Sequence, residues 1–169
     1  MSNFSTFYSE RRKNTMPFYG AGFTIIEIIV AVAILMVISV FTLVALNTFR
    51  ENQSLKNSVN ETIALINQAR SKTLSSQDFS QYGIHFESSR IVLFKGTIFS
   101  EPNPDNVVLT LASSIEISSI SLDGGGVDLV FQKLTGKTDQ FGSIIFRVKN
   151  DISKTKTIDI KNTGIVDVQ

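Results

Sequence analysis

The chain of 169 residues contains no cysteine, which excludes a disulfide framework and any thiolate metal site and leaves the redox compartment unspecified. Histidine is nearly as scarce. His85 stands alone, so the convergent titratable groups that catalysis needs are in short supply, and we expect no enzyme activity, no bound metal and no cofactor. Charge is sparse as well: sixteen Lys and Arg against fifteen Asp and Glu leave a net charge of +1, too little for a global field that draws in nucleic acid or an anionic membrane. Proline is absent between Phe23 and Glu101, and glycine between Phe23 and Tyr82. Nothing in that stretch forces a helix to end before the Ser75-Ser76-Gln77-Asp78 cluster.

What the sequence does have is one long apolar run. Phe23 to Phe49 reads FTIIEIIVAVAILMVISVFTLVALNTF, with Glu27 its only ionisable side chain. Ile28 to Leu46 alone would extend about 28 Å as a helix, near the thickness of the bilayer hydrocarbon. Arg11, Arg12 and Lys13 precede it and predict a single span with the N-terminus in the cytoplasm and the C-terminus outside. A cleaved signal peptide would carry a shorter apolar core, and Ala31-Val32-Ala33 falls too early in the run to serve as its cleavage site. A plain signal anchor or a buried core helix gives no reason for Glu27. A carboxylate inside a membrane is costly unless partnered. A cut between Gly22 and Phe23 would free an amine four residues before it and supply that partner.

Past Phe49 the chain turns polar but keeps helical spacing through Leu55, Val59, Ile63, Ile66 and Ala69, so residues 50–76 read as an amphipathic continuation of the same helix. A helix of roughly 50 residues, about 75 Å long, is expected; two helices meeting at Asn47 to Asn52 are the alternative. From Tyr82 the apolar period becomes two. Strands are predicted at Tyr82–Phe86, Arg90–Lys95, Val107–Leu111, Ile115–Leu122, Val127–Gln132, Ser143–Lys149, Thr155–Ile160 and Thr163–Val168, with turn-forming clusters between them. The expected fold is α+β: a long N-terminal helix packed on a C-terminal antiparallel sheet over 77–169.

The junction Gly22-Phe23-Thr24-Ile25-Ile26-Glu27, behind a basic leader, resembles the N-terminal signal of type IV pilins and pseudopilins. That resemblance implies a leader over 1–22 removed by a membrane-embedded prepilin peptidase between Gly22 and Phe23, N-methylation of Phe23, and an assembly helix over 23–49. It implies that Glu27 neutralises the terminal amine of a neighbouring subunit. It also implies partners: other pilins through the N-terminal helix, the membrane, and an inner-membrane assembly platform. Gln68-Ala69-Arg70-Ser71, Tyr82-Gly83-Ile84, Phe131 with Leu134-Thr135-Gly136, and Thr163-Gly164-Ile165 carry the resemblance into the second half, where it is similar to the GspH/FimT class of minor pseudopilins and minor pilins. The implied role is structural, in a type IV pilus or a type II secretion pseudopilus, priming or capping a filament at the cell surface or in the periplasm.

Two alternatives stand beside it. Lys133, Lys137, Arg147, Lys149, Lys154, Lys156 and Lys161 outnumber Asp139, Asp151 and Asp159, which offers phosphate contacts to nucleic acid in DNA uptake. An anchored membrane domain that is never processed is the other. His85 alternates with Ile84 and Phe86 and reads as a surface or edge residue, and Asp123-Gly-Gly-Gly-Val-Asp128 reads as a hairpin turn because it lacks the ligand density of a calcium loop.

Overall fold

The structure, a computed structural model, describes residues 22–169, the side chains of 41–45 excepted. The leader residues Arg11, Arg12 and Lys13 therefore lie outside the described residues. Helix α1 runs over Ile25–Leu74 without a break at Asn47 to Asn52. A short 3₁₀ turn at Gln77–Phe79 follows. Then come β1 (Tyr82–Phe86), β2 (Arg90–Lys95), β3 (Val107–Thr110), β4 (Ile115–Leu122), β5 (Asp128–Val130), β6 (Gly142–Val148), β7 (Asp151–Ile160) and β8 (Val166–Val168). The chain divides into a unit ending at Phe41 and a unit of Thr42–Gln169. In the first, the described side chains of α1 are exposed all round. The second contains the core.

The buried stripe of α1 is Leu55, Val59, Thr62, Ile66, Ala69 and Thr73, at alternating spacings of four and three that hold one face of a 3.6-residue helix toward the core. Apolar spacing puts Ile63 in this stripe. The structure makes Ile63 a flank, packed against the core but only partly buried, and places Thr62 at the centre. The threonines tolerate burial because each hydroxyl donates to the carbonyl one turn back: Thr62 to Ser58 at 2.7 Å and Thr73 to Ala69 at 2.9 Å. Thr73 Oγ1 also accepts the N–H of Tyr82 at 2.9 Å, tying the end of the helix to the start of β1.

All strand pairs are antiparallel, but they build two four-stranded sheets, ordered β3-β2-β1-β5 and β4-β6-β7-β8, where a single sheet is the simpler expectation from the sequence. Geometry explains the split. Strands lie about 4.8 Å apart, so eight in a row would span close to 40 Å, whereas one helix is only about 10 Å across. A single sheet would leave most of its apolar face uncovered. With two sheets, the inner faces and the helical stripe meet in one hydrophobic cluster. The Asp123 to Val127 segment joins β4 of one sheet to β5 of the other, so it is a crossover with a tight turn, Gly125 N–H to Leu122 O at 3.0 Å, and not a hairpin. Strand β4 contains a register shift between Ile117 and Ser119. That bulge is why Ile115 and Ile117, then Leu122, all turn inward despite a change from odd to even positions. Strand β7 begins at Asp151, four residues before the predicted start, because Val148 pairs with Asp151 across a second register shift.

The first sheet also buries part of its outer face. Val92 and Phe94 are fully buried yet stand outside the main cluster, and Phe99 from the 96–106 loop meets Phe94 edge-on, 5.7 Å between ring centroids. Gly83 lies opposite Phe94 in the ladder. A β-carbon at position 83 would sit 2.5 Å from Phe94 Cζ and 2.9 Å from Leu129 O, closer than atoms pack. Gly83→Ala is expected to cost about 1 to 3 kcal/mol by overpacking, read as a lower midpoint in urea denaturation, and Phe94→Leu in the same chain should recover part of it. An unchanged midpoint would show that Phe94 is free to move aside.

Candidate functional site

The N-terminal junction is built from short-range chemistry. Gly22, Phe23 and Thr24 precede the helix in non-helical conformation. Thr24 caps it: its carbonyl accepts from Ile28 N–H at 3.2 Å, and its Oγ1 accepts from Glu27 N–H at 3.3 Å. Thr24 and Glu27 thus hold the first and fourth positions of a capping box, the Ser/Thr-x-x-Glu spacing that satisfies orphan amides at a helix start. A carboxylate in the first turn also faces the positive end of the helix dipole. Sequence reasoning about Glu27 as a charge in an apolar run misses this local role, although Thr24-Ile25-Ile26-Glu27 spells it. The Glu27 side chain is exposed. The ion pairs found among the described residues all join groups between Glu51 and Asp167, so none of them satisfies Glu27.

Phe23 is 78% exposed, and Ile25, Ile29, Leu35, Met36 and Val40 are similarly uncovered on different sides of the helix. Ser39 keeps its hydroxyl within the helix, donating to Leu35 O at 2.7 Å. Among the described residues no helix is long and apolar enough to cross a membrane; the apolar run passes through 41–45, whose side chains lie outside them. At Gly22 a β-carbon would meet nothing within 4 Å, so crowding gives no reason for glycine there.

In the β-rich unit Arg70, Gly136, Thr163 and Gly164 converge. Arg70, near the end of α1, donates from Nε to Gly136 O at 3.1 Å and from a terminal nitrogen to Thr163 O at 3.4 Å, so one guanidinium fastens the helix to the 131–138 loop and the β7–β8 turn. Gly164 has φ of +75°, and a β-carbon there would collide with Gly136 O and stand 2.9 Å from Arg70 Nε. These residues are a structural clamp.

His85 belongs to a polar network that sequence reading does not assemble. Its ring stacks on Phe99, 3.9 Å between centroids, while Nδ1 lies 2.5 Å from Asp128 Oδ1 and Nε2 lies 3.6 Å from Glu87 Oε1. Arg90 binds Glu87 at 2.7 and 2.9 Å and Glu101 at 2.8 Å through two nitrogens. The pair with Glu101 and the stack of Phe99 on His85 together pin the 96–106 loop across the outer face of the sheet. Although His85, Glu87 and Asp128 lie together, among the described residues no group of three His, Asp or Glu is placed to hold a metal ion. Of the bases counted toward nucleic acid, Lys133 donates to Phe79 O at 2.6 Å, Arg147 pairs with Glu116 at 2.6 Å, Lys154 with Glu51 at 3.0 Å, and Lys161 with Asp167. Much of that local excess is committed within the chain.

Hydrogen bonds from Arg90 hold the Glu87 and Glu101 carboxyls below their ordinary value of 4.5. A carboxylate depressed on folding contributes stability that is fully present above 4.5 and lost as pH falls through its lowered value. Amide exchange in 96–106, corrected for intrinsic rate, should therefore accelerate as pH falls below the ordinary value of 4.5 and through the lowered ones. Glu101→Gln should accelerate it already at neutral pH and flatten the pH dependence. A loop equally protected at both pH values would remove the ion pair from its anchoring.

No protein-family model and no curated protein matches the sequence. Among solved structures, the crystal structure of the type IV minor pilin FimU of Pseudomonas aeruginosa superposes with a TM-score of 0.52, covering 68% of this chain and 92% of that one at 12% sequence identity. At that identity the likeness establishes the fold. The chain has the pilin fold, an N-terminal helix packed on C-terminal antiparallel strands.

Proposed function

We propose that this chain is a structural subunit of a type IV pilus or pseudopilus, of the minor GspH/FimT class, made as a precursor and assembled through its N-terminal helix. The observation that carries the proposal is the first part of α1: described apolar side chains exposed all round, and one carboxylate in the first turn. A helix apolar on every side is stable in water only when something covers it. Lipid covers it before assembly, and the helices of neighbouring subunits cover it afterwards. Arg11, Arg12 and Lys13 keep the leader in the cytoplasm and send the β-rich unit outward. Removal of residues 1–22 exposes the Phe23 amine, which is methylated. Glu27 then meets the amine of a neighbour, so that neither charge is buried unpaired. Partners follow in sequence: the prepilin peptidase, the inner-membrane assembly platform, and other pilins. Priming or capping a filament is the role we assign, as the resemblance of the sequence to the GspH/FimT class implies.

Gly22 supports the site of cleavage. Its described surroundings leave room for a side chain, so packing does not call for glycine there, and a peptidase cleft that admits only glycine is the reason we propose for it. Intact mass and N-terminal sequencing of protein recovered from membranes, with and without a co-expressed prepilin peptidase, test this directly. The expected product begins at Phe23. Gly22→Val should remain full length in the same cells, and efficient cleavage of that variant would move the site elsewhere.

Glu27 needs a substitution that separates its two roles. Gln at the fourth position of a capping box still serves the helix start but carries no charge. Glu27→Gln is therefore expected to be inserted and cleaved normally and to be recovered in sheared filaments at a level reduced about tenfold, the equivalent of roughly 1.4 kcal/mol of lost pairing. Incorporation at the native level would leave Glu27 as a helix cap only.

A further inference from the structure

Two contacts within the unit of Thr42–Gln169 fix how β7 lies along α1. Lys154 Nζ stands 3.0 Å from Glu51 Oε2 and 3.3 Å from Asp151 Oδ2, so the first residues of β7 are level with Glu51. At the other end Arg70 reaches Thr163 O, and β7 therefore runs in the same direction as α1. The lengths agree: Lys154 to Thr163 is about 30 Å of extended chain, and Glu51 to Arg70 is about 28 Å of helix. The β6–β7 turn, Lys149 and Asn150, thus lies at the end of the unit from which α1 continues toward its N-terminus. Ile152, beside that turn, is 70% exposed. The other charges close by are committed, Asp151 to Ser153 and Lys154, Glu51 to Lys154, and Arg147 to Glu116. Arg50 and Lys149 are exposed, and no ion pair found among the described residues includes either of them.

The level of this end along α1 says what it meets. Leu46 and Phe49 are exposed, and Arg50 is the first ionisable residue after Glu27. Glu51 follows Leu46 by about 7 Å of helix, and a headgroup layer extends about 5 to 8 Å beyond the hydrocarbon. With Ile28 to Leu46 in the hydrocarbon, Glu51 and the start of β7 stand at the headgroups. We propose that before assembly the β6–β7 turn rests on the phospholipid surface where α1 leaves the bilayer, with Ile152 among the headgroups and Lys149 on lipid phosphate. An apolar side chain beside a base suits that boundary, because the one gains from leaving water and the other from anionic lipid. A second copy seated turn to turn is the poorer occupant, since it would set Lys149 against Lys149 around a single pair of isoleucines. The contact rests on the reading of residues 23–49 as a membrane segment, and it would tether the β-rich unit to the membrane until the helix enters a filament.

Because the chain has no cysteine, a single introduced thiol can carry a fluorophore. The full chain is reconstituted in vesicles of phosphatidylcholine and phosphatidylglycerol, labelled in turn at Ile152→Cys, Phe49→Cys and Leu134→Cys. The lipids carry a nitroxide quencher either on the headgroup or deep in the acyl chain. Quenching by the headgroup nitroxide is expected at 152 and 49. It is not expected at 134, which is exposed near Gly136 at the Arg70 end of α1. At 152 the headgroup nitroxide should quench at least about twofold more than the deep one. Lys149→Glu should lower that headgroup quenching at least about twofold and leave position 49 unchanged. Quenching at 49 with none at 152 would overturn the proposal and leave the membrane segment standing, whereas quenching at neither would remove the segment as well. Quenching at 152 unmoved by Lys149→Glu would overturn the phosphate contact. A signal at 152 that responds to dilution with unlabelled chain and not to nitroxide would overturn the proposal in favour of a second copy.

Discussion

Packing in the β-rich unit depends on covering one face of α1. Among the described residues the stripe from Leu55 to Thr73 is the helical surface that meets the strands, and burying a Leu- or Ile-sized side chain there stabilises by about 1.5 to 3 kcal/mol. One narrow stripe cannot cover eight strands laid side by side. The sheet therefore divides, and the two inner faces cover each other as well as the helix, with Ile84, Phe86 and Leu129 on one side and Ile144, Phe146 and Ile158 on the other. Other features follow from that division: the crossover through Asp123 to Val127, the bulge in β4 that restores its inward face, and the Arg70 clamp that fixes the end of the helix to the two loops nearest it.

The part of α1 before Phe41 obeys a different constraint. It has no stripe at all. Between Ile28 and Val40 every residue but Ser39 is apolar, and a helix with no polar face gains nothing from rotating one side toward a core. Periodicity therefore distinguishes the two halves of one helix, of which the second turns one face to the sheets. The capping pair Thr24 and Glu27 lets the first half begin without help from the β-rich unit.

Much of the architecture was legible in the sequence, and the parts that were not share a cause. Helical spacing and period-two alternation are local signals, and they located α1 and all eight strands. Strand pairing is not local. Nothing in Ile115 to Leu122 or in Asp128 to Val130 states that these segments join different sheets, so the single sheet and the hairpin at Asp123 to Asp128 were the simpler expectations. The β4 bulge was partly readable, since apolar positions shift from Ile115 and Ile117 to Ile120 and Leu122, a change of parity that one regular strand cannot hold on one face. Thr62 and Thr73 were hidden because a threonine reads as polar until its hydroxyl is seen bonded to its own helix. At the N-terminus the junction is readable as a motif, and the Thr24 cap is readable in the same four residues, Thr24 to Glu27, as a Thr-x-x-Glu spacing. The His85, Glu87, Arg90 and Glu101 network was not readable, for it depends on where the 96–106 loop folds back.

The cap at Thr24 and the charge pair proposed for Glu27 are compatible, and their combination would have a physical consequence. The hydrogen bond seen at the start of α1 runs from the backbone N–H of Glu27 to Thr24 Oγ1, which leaves the carboxylate oxygens out of that contact. A carboxylate near a helix start interacts favourably with the dipole. In the proposed assembly, an amine that came to it would meet a residue whose backbone the cap already fixes, and less ordering would be lost on pairing than between two flexible ions. On the proposed pairing, Thr24 would act on assembly through Glu27, as a positioning residue. The capping contact and the proposed subunit contact would then share the same four residues.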